Sequence, residues 1–214
     1  MNDSIRTPLA TSRRRRIVAV ALTVVGGMVA VFAALQSLPA GRAGAAPGAS
    51  LGDALWSTLR GEPTAADGRI VDGEEPSVFD DVPAVSKLDA DLLAALRRAA
   101  TDAEADGVDF SVTSGWRSPR YQERLLRDAV ATYGSREEAA RWVATPTTSA
   151  HVSGDAVDIG PYAALDWLVR YGADYGLCQI YGNEAWHYEL RQEAAVEGCP
   201  PMYADPTEDP RMRR

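Results

Sequence analysis

Histidine is scarce in this chain. Among 214 residues there are two, His151 and His187, so any histidine chemistry must use one or both. Cysteine is equally scarce, with Cys178 and Cys199 as the whole complement, and neither lies in a CxxC pair that would suggest a structural zinc site. A basic surplus is missing too. The formal charge is −8 and the isoelectric point about 4.8, which excludes a general nucleic-acid binder. No internal repeat is present. What remains is an ordinary globular composition, 46% apolar and 24% charged, long enough for one or two domains with a core of their own.

The charge is unevenly placed. Residues 1–45 hold six basic residues (Arg6, Arg13 to Arg16 and Arg42) and one acidic residue, Asp3; the other sixteen basic and twenty-nine acidic residues leave the rest at −13. After this basic head (residues 1–16), Ile17 to Leu35 runs for 19 residues with no charge and a single polar side chain, Thr23. As a helix it would reach about 28 Å, close to the thickness of a bilayer core. Arginines before it and acidic residues after it predict a cytoplasmic N-terminus and an exported body. Ala43-Gly44-Ala45 offers a signal-peptidase site, whereas the length of the run favours a retained single-span anchor. The expected location is the cell membrane with the domain outside, or the cell wall after secretion. Residues 36–81, rich in Gly, Ala, Pro and acidic side chains, read as a flexible linker.

Regular patterning begins at about residue 82. Asp89 caps a helix whose Leu92, Leu93, Leu96, Ala99 and Ala100 share one face, ending at Gly107. Phe110 to Thr113 alternates like a strand. Ser118-Pro119 opens a second helix that stops at Gly134, and Ser135 with Glu138 predicts a third, through about Ala144. Ala156–Ile159, Cys178–Tyr181 and Trp186–Leu190 read as strands, and Tyr162–Tyr171 as a helix. The expected fold is α+β, a small antiparallel sheet with helices packed on it, over residues 82–205, followed by a tail at 206–214. An exported cysteine pair is expected to form a disulfide.

Chemistry concentrates in two segments. Ser149-Ala150-His151-Val152-Ser153-Gly154-Asp155-Ala156-Val157-Asp158 places a His and an Asp seven residues apart. Glu184-Ala185-Trp186-His187-Tyr188-Glu189 supplies the second His with a carboxylate three residues before it. A catalytic zinc needs three protein ligands and one open position. His151, Asp158 and His187 offer two nitrogens and an oxygen, and leave Glu184 to take a proton from water. Asp155 and Glu189 compete as ligands. A shared helical face for His151 and Asp155 is disfavoured by Gly154 and the strand pattern after it, and Glu189, on one strand face with His187, could instead orient that ligand.

These motifs, SxHxxGxAxD and ExWHxE, preceded by Gly115-Trp116-Arg117-Ser118, resemble the VanY-type zinc D-alanyl-D-alanine carboxypeptidases, relatives of the VanX dipeptidases. The likeness runs from about Val82 to Tyr203 and excludes the first 81 residues. It implies one zinc per chain on His151, Asp158 and His187, with Glu184 as general base and then acid. It implies that Arg117 stabilises the oxyanion or the peptide carboxylate; a structural salt bridge is the alternative. Ser149, Gln122 and Trp186 are candidate substrate contacts. Their alternatives are a loop cap, a solvated helix face and packing beside the metal. The implied substrate is a peptidoglycan stem peptide ending in D-Ala-D-Ala, and a monomer is expected. L,D-carboxypeptidase, D,D-dipeptidase and wall-endopeptidase specificities stay open, as does a non-catalytic zinc-bound wall-binding module.

Overall fold

The computed structural model describes residues 61–71 and 73–213. The expected head and apolar run at 1–35, and the linker as far as residue 60, lie outside the described residues; among the described residues no helix is long and apolar enough to cross a membrane. The element order is α1 (Pro83–Ser86), α2 (Ala90–Ala105), β1 (Ser111–Ser114), α3 (Pro119–Tyr133), α4 (Arg136–Ala139), α5 (Ala150–Ser153), β2 (Ala156–Gly160), α6 (Tyr162–Tyr171), β3 (Leu177–Gln179), β4 (His187–Leu190) and α7 (Ala194–Glu197). The four strands form one antiparallel sheet in the order β1-β2-β4-β3. The α+β class expected from the pattern is the class found.

Capping explains where the longer helices start. The Asp89 carboxylate accepts from the backbone N–H of Asp91 and Leu92, and the Ser118 hydroxyl accepts from that of Tyr121, with Pro119 in the first turn. α2 buries Leu92, Ala95, Leu96, Ala99 and Ala103, and α6 buries Ala164, Leu165, Trp167 and Leu168. Both join a core with Val112, Val157, Ile159, Leu177 and Tyr188 from the sheet. Alternation along the strands then leaves Asp158 on β2, and His187 and Glu189 on β4, for the other face. That division, apolar towards the helices and polar away from them, positions the site.

Three boundaries differ from expectation. α4 is a single turn, although the Ser135 hydroxyl does accept from Glu138 N–H; beyond Ala139 the chain continues in turns, with Trp142 and Val143 N–H both donating to Ala139 O. Residues 61–71 and 73–81, assigned to the linker by composition, are anchored to the body at several points. Val78 is buried in the core, Val112 N–H donates to Pro76 O at 2.8 Å, and Ser77 bridges Ser111 at the open edge of β1. The Asp67 carboxylate binds Ser118 and Arg120. This segment has little apolar surface of its own and is ordered by partners distant in sequence. The supposed tail is part of the body too: Pro206–Glu208 and Pro210–Arg213 form 3₁₀ turns, with Asp209 1% exposed. Cys178 and Cys199 form the expected disulfide, which closes a loop of 21-residue separation; such a loop is worth about 3 kcal/mol in the chain-entropy picture.

Candidate metal and catalytic site

All eight candidate residues line one cavity. His151, Asp158, His187, Glu184, Arg117, Ser149, Gln122 and Trp186 share it with Trp142, Tyr181, Pro206 and Met212. His151 arrives on α5, a one-turn helix in the segment where a helix was disfavoured. Gly154 ends that turn at φ +87°, in the left-handed region, and a Cβ there would lie 2.8 Å from Lys87 O, so only glycine fits. Asp155 therefore falls beyond the turn, exposed and bonded to Ser153 Oγ, apart from the His151, Asp158 and His187 group. Asp158 and His187 are register partners on β2 and β4. Glu184 sits in the turn between β3 and β4, where His187 N–H donates to Glu184 O at 3.1 Å.

Three ligand atoms converge. His151 Nε2 lies 3.2 Å from His187 Nδ1, and Asp158 Oδ1 lies 3.4 Å and 3.3 Å from them, respectively. Ligand atoms about 2.0–2.1 Å from a tetrahedral zinc would stand about 3.3 Å apart, so the triangle has the size of one zinc face. Asp158 Oδ1 is buried and accepts no hydrogen bond, an orphan that a cation would satisfy. The donor set fits zinc.

The far ring nitrogens are fixed as well. His151 Nδ1 meets Gly115 O at 2.9 Å, which makes that nitrogen the donor and leaves the Nε2 lone pair facing the triangle. His187 Nε2 meets Glu189 Oε1 at 3.3 Å and leaves Nδ1 facing inward. Glycine at 115 is required because a Cβ would lie 2.0 Å from Ala84 O. Glu189 thus bonds the outer nitrogen of His187 and stands outside the His151, Asp158 and His187 group.

Arg117 spans the floor. Its Nε donates to Ser114 Oγ at 2.9 Å, Nη1 to Gln122 Oε1 at 3.2 Å and Nη2 to Asp158 Oδ2 at 3.1 Å. A bulge between Val112 and Ser114 sets Ser114 opposite Asp158, which brings the chain to this position. Gln122 is 1% exposed, so it is not on a solvated face; its Nε2 donates to Ala144 O while Oε1 receives Arg117, so both ends of the amide are engaged. Ser149 is buried at the start of α5 and makes no capping bond with its hydroxyl. Trp186 stays 40% exposed at the rim, as does Trp142, which stacks on Tyr133.

Electrostatics separate the carboxylates. Burial pushes Glu184 up to about 7, with His187 opposing and Asp158 assisting. Asp158 is buried too, but His151, His187 and Arg117 overcome that and hold it well below the usual range. For His187, burial is outweighed by bonds to Asp158 and Glu189, and the ring is pushed up to about 9. Burial and the Arg117 charge push His151 down. One carboxylate is thus poised to exchange protons near neutrality while its neighbour stays an anion.

Residues 85–192 match the family model described as VanY: D-alanyl-D-alanine carboxypeptidase. The chain belongs to the VanY family. A curated relative, the D-alanyl-D-alanine carboxypeptidase of Enterococcus faecalis (strain ATCC 700802 / V583), is 32% identical over 126 aligned positions, covering 47% of this chain and 46% of that protein. The chain thus spans about half the length of the curated VanY relative it matches. Two solved structures are also similar, each with 27% identity and a TM-score of 0.49 over 64% of this chain. One is a mutant of the vancomycin-resistance D,D-pentapeptidase VanY in complex with Zn(II), with 88% of its chain covered. The other is VanYB in complex with D-alanine-D-alanine, with 87% covered.

The VanY match ends at residue 192, and four of the residues that sequence reasoning missed lie beyond it. Pro206 and Met212 form cavity wall, and Asp209 and Arg211 stand behind His187. In the sequence they were a short charged tail, with no periodicity or motif to mark them. Tyr181, whose ring is tilted against that of His187 with centroids 5.0 Å apart, lies inside the match and reads in the sequence only as the end of a strand.

Proposed function

We propose that this protein is an exported zinc D-alanyl-D-alanine carboxypeptidase that hydrolyses the terminal D-Ala–D-Ala bond of peptidoglycan stem peptides. The observation that carries the reading is the 3.2–3.4 Å triangle of His151, Asp158 and His187 with Glu184 beside it, in a chain of the VanY family. A zinc ion held by those three residues would supply Lewis acidity to the scissile carbonyl and the attacking water. Glu184, whose Oε2 is 3.6 Å from His187 Nδ1, takes the proton from the water and returns it to the departing amine. Its elevated affinity for protons suits both halves of that exchange. Arg117 has five N–H groups, of which three are engaged by Ser114, Gln122 and Asp158. The remaining two meet the developing negative charge or the substrate carboxylate, and the fixed fork keeps them aimed. Ser149 and Trp186 contact the peptide from the wall and rim of the cavity.

The extracytoplasmic location is supported by the arginine-flanked apolar run at residues 17–35 and by the disulfide, which persists in oxidising compartments. The test is metal analysis of the purified full chain together with incubation on defined stem pentapeptides. One zinc per chain and loss of the terminal D-alanine are expected. A folded, zinc-loaded protein that leaves pentapeptide intact would sink the proposed activity, and a protein that takes up no zinc would sink the metal site itself.

A further inference from the structure

The turn Pro210–Arg213 carries an arginine, Arg211, whose hydrogen bonds run to the back of the metal site. Arg211 Nη1 donates to Glu189 Oε2 at 2.7 Å and Nη2 to Glu189 Oε1 at 3.0 Å, a two-point fork. Glu189 is 1% exposed, and its Oε1 is the atom that receives His187 Nε2. Arg191 adds a contact to Oε2 at 2.8 Å, but only Arg211 reaches both oxygens. Arg211 is itself held: its Nε lies 3.1 Å and 2.9 Å from the two oxygens of the Asp209 carboxylate, and that carboxylate also accepts from Tyr181 OH at 2.9 Å. A chain of contacts thus runs Tyr181–Asp209–Arg211–Glu189–His187. Both Asp209 and Arg211 lie outside residues 85–192, the part matched by the family model.

We propose that Arg211 is a positioning residue for His187, acting through Glu189 to set the ring so that Nδ1 faces the metal. A buried carboxylate on a short side chain has several orientations, and only some put Oε1 in line with His187 Nε2. The two-point fork selects one. Arg191 is a single-point contact on the other oxygen and leaves rotation about that contact open. Groups that orient a metal ligand in this way commonly contribute 10–100-fold to metal affinity. The inference rests on the reading of His151, Asp158 and His187 as zinc ligands, and deepens it: the turn Pro210–Arg213 becomes part of the metal site.

The test uses the full chain and four variants: Arg211→Met, Arg211→Lys, Glu189→Gln and the Arg211→Met/Glu189→Gln double variant. Zinc affinity is measured by competition with a chromophoric chelator. Ligand geometry is read from the visible spectrum of the Co(II)-loaded protein, which general loss of stability would not move, and circular dichroism checks the fold. Arg211→Met is expected to weaken zinc binding about 10-fold or more and to alter the Co(II) bands. Arg211→Lys, which keeps the charge but not the fork, is expected to recover part of the loss, and also serves should the methionine variant not fold. The double variant should bind no more weakly than Glu189→Gln alone, because Arg211 acts through that carboxylate. Zinc affinity within 2-fold of wild type in a folded Arg211 variant, or additive losses in the double variant, would overturn the proposal while leaving the metal site intact. A wild-type chain that binds no zinc would overturn both.

Discussion

Replacing Arg117 with methionine separates the two jobs its position gives it. The guanidinium is the positive partner of Asp158, with side chains 15% and 9% exposed, and it also satisfies Gln122 Oε1. Methionine fills similar space and removes every donor. In the metal-free protein the substitution leaves the Asp158 carboxylate with only the two imidazoles for partners and strips Gln122 Oε1 of its donor. Breaking a buried ion pair by deleting one member costs about 3–5 kcal/mol. The unsatisfied amide oxygen belongs to the same network, so its roughly 1–3 kcal/mol overlaps with that figure and does not add to it. For a folded unit of about 150 residues, 1 kcal/mol moves Tm by about 2–4 °C, so the metal-free variant should melt roughly 6–20 °C below wild type. Zinc at the triangle would return a positive charge to Asp158 through Oδ1, and the deficit should shrink on loading. The assay is urea and thermal unfolding of both proteins, with chelator and with one equivalent of zinc. A metal-free loss below about 1 kcal/mol, or an equal loss with and without zinc, would refute the coupling of Arg117 to Asp158.

Two further perturbations test other parts of the account. Gly115→Ala forces the backbone away from Ala84 and shifts the carbonyl that fixes His151 Nδ1; zinc affinity measured by chelator competition should fall about 10-fold, and unchanged affinity would detach that carbonyl from the site. Asp67→Asn tests the packed N-terminal segment. The Arg120 hydrogen bond, helped by Thr64 and Ser118 and opposed by burial, holds the Asp67 carboxyl well below its ordinary 3.8. A depressed folded pKa stabilises the protein at pH above the unfolded value, and that stabilisation is lost as pH falls below about 3.8. Wild type should therefore be more stable than the variant at pH 7, with the gap closing below pH 4 in urea titrations. A gap independent of pH would contradict the pairing.

What the sequence made legible follows from where each signal resides. Asp89, Ser118 and Gly134 act within a turn of themselves, so the boundaries of α2 and α3 could be read from neighbours alone. The α5 turn could not, because it is four residues long and depends on Gly154 packing against Lys87 O, a contact across the fold. The clustering of His151, Asp158 and His187 was legible because two histidines left few combinations, and the places of the competing carboxylates were resolved only by structure. Asp155 is exposed beyond the turn, and Glu189 faces the outer nitrogen of His187. Gln122 shows the opposite case. Its position in a helix one turn after Arg117 suggested either substrate or solvent, and burial instead makes it a brace between Arg117 and Ala144. The ordering of residues 61–71 and 73–81 and of the C-terminal turns depends on long-range ion pairs and an open strand edge, which no local pattern announces.

In the proposed function Glu184 moves the proton in a zinc-dependent cleavage of D-Ala–D-Ala. The most direct test is release of free D-alanine from a stem pentapeptide by wild type and by Glu184→Gln, with the zinc content of both matched beforehand. Release by wild type and a rate lower by about 10²–10⁴ for the glutamine variant, which keeps the shape and loses the base, are expected. Equal rates at equal zinc content would remove Glu184 from the chemistry and contradict the account.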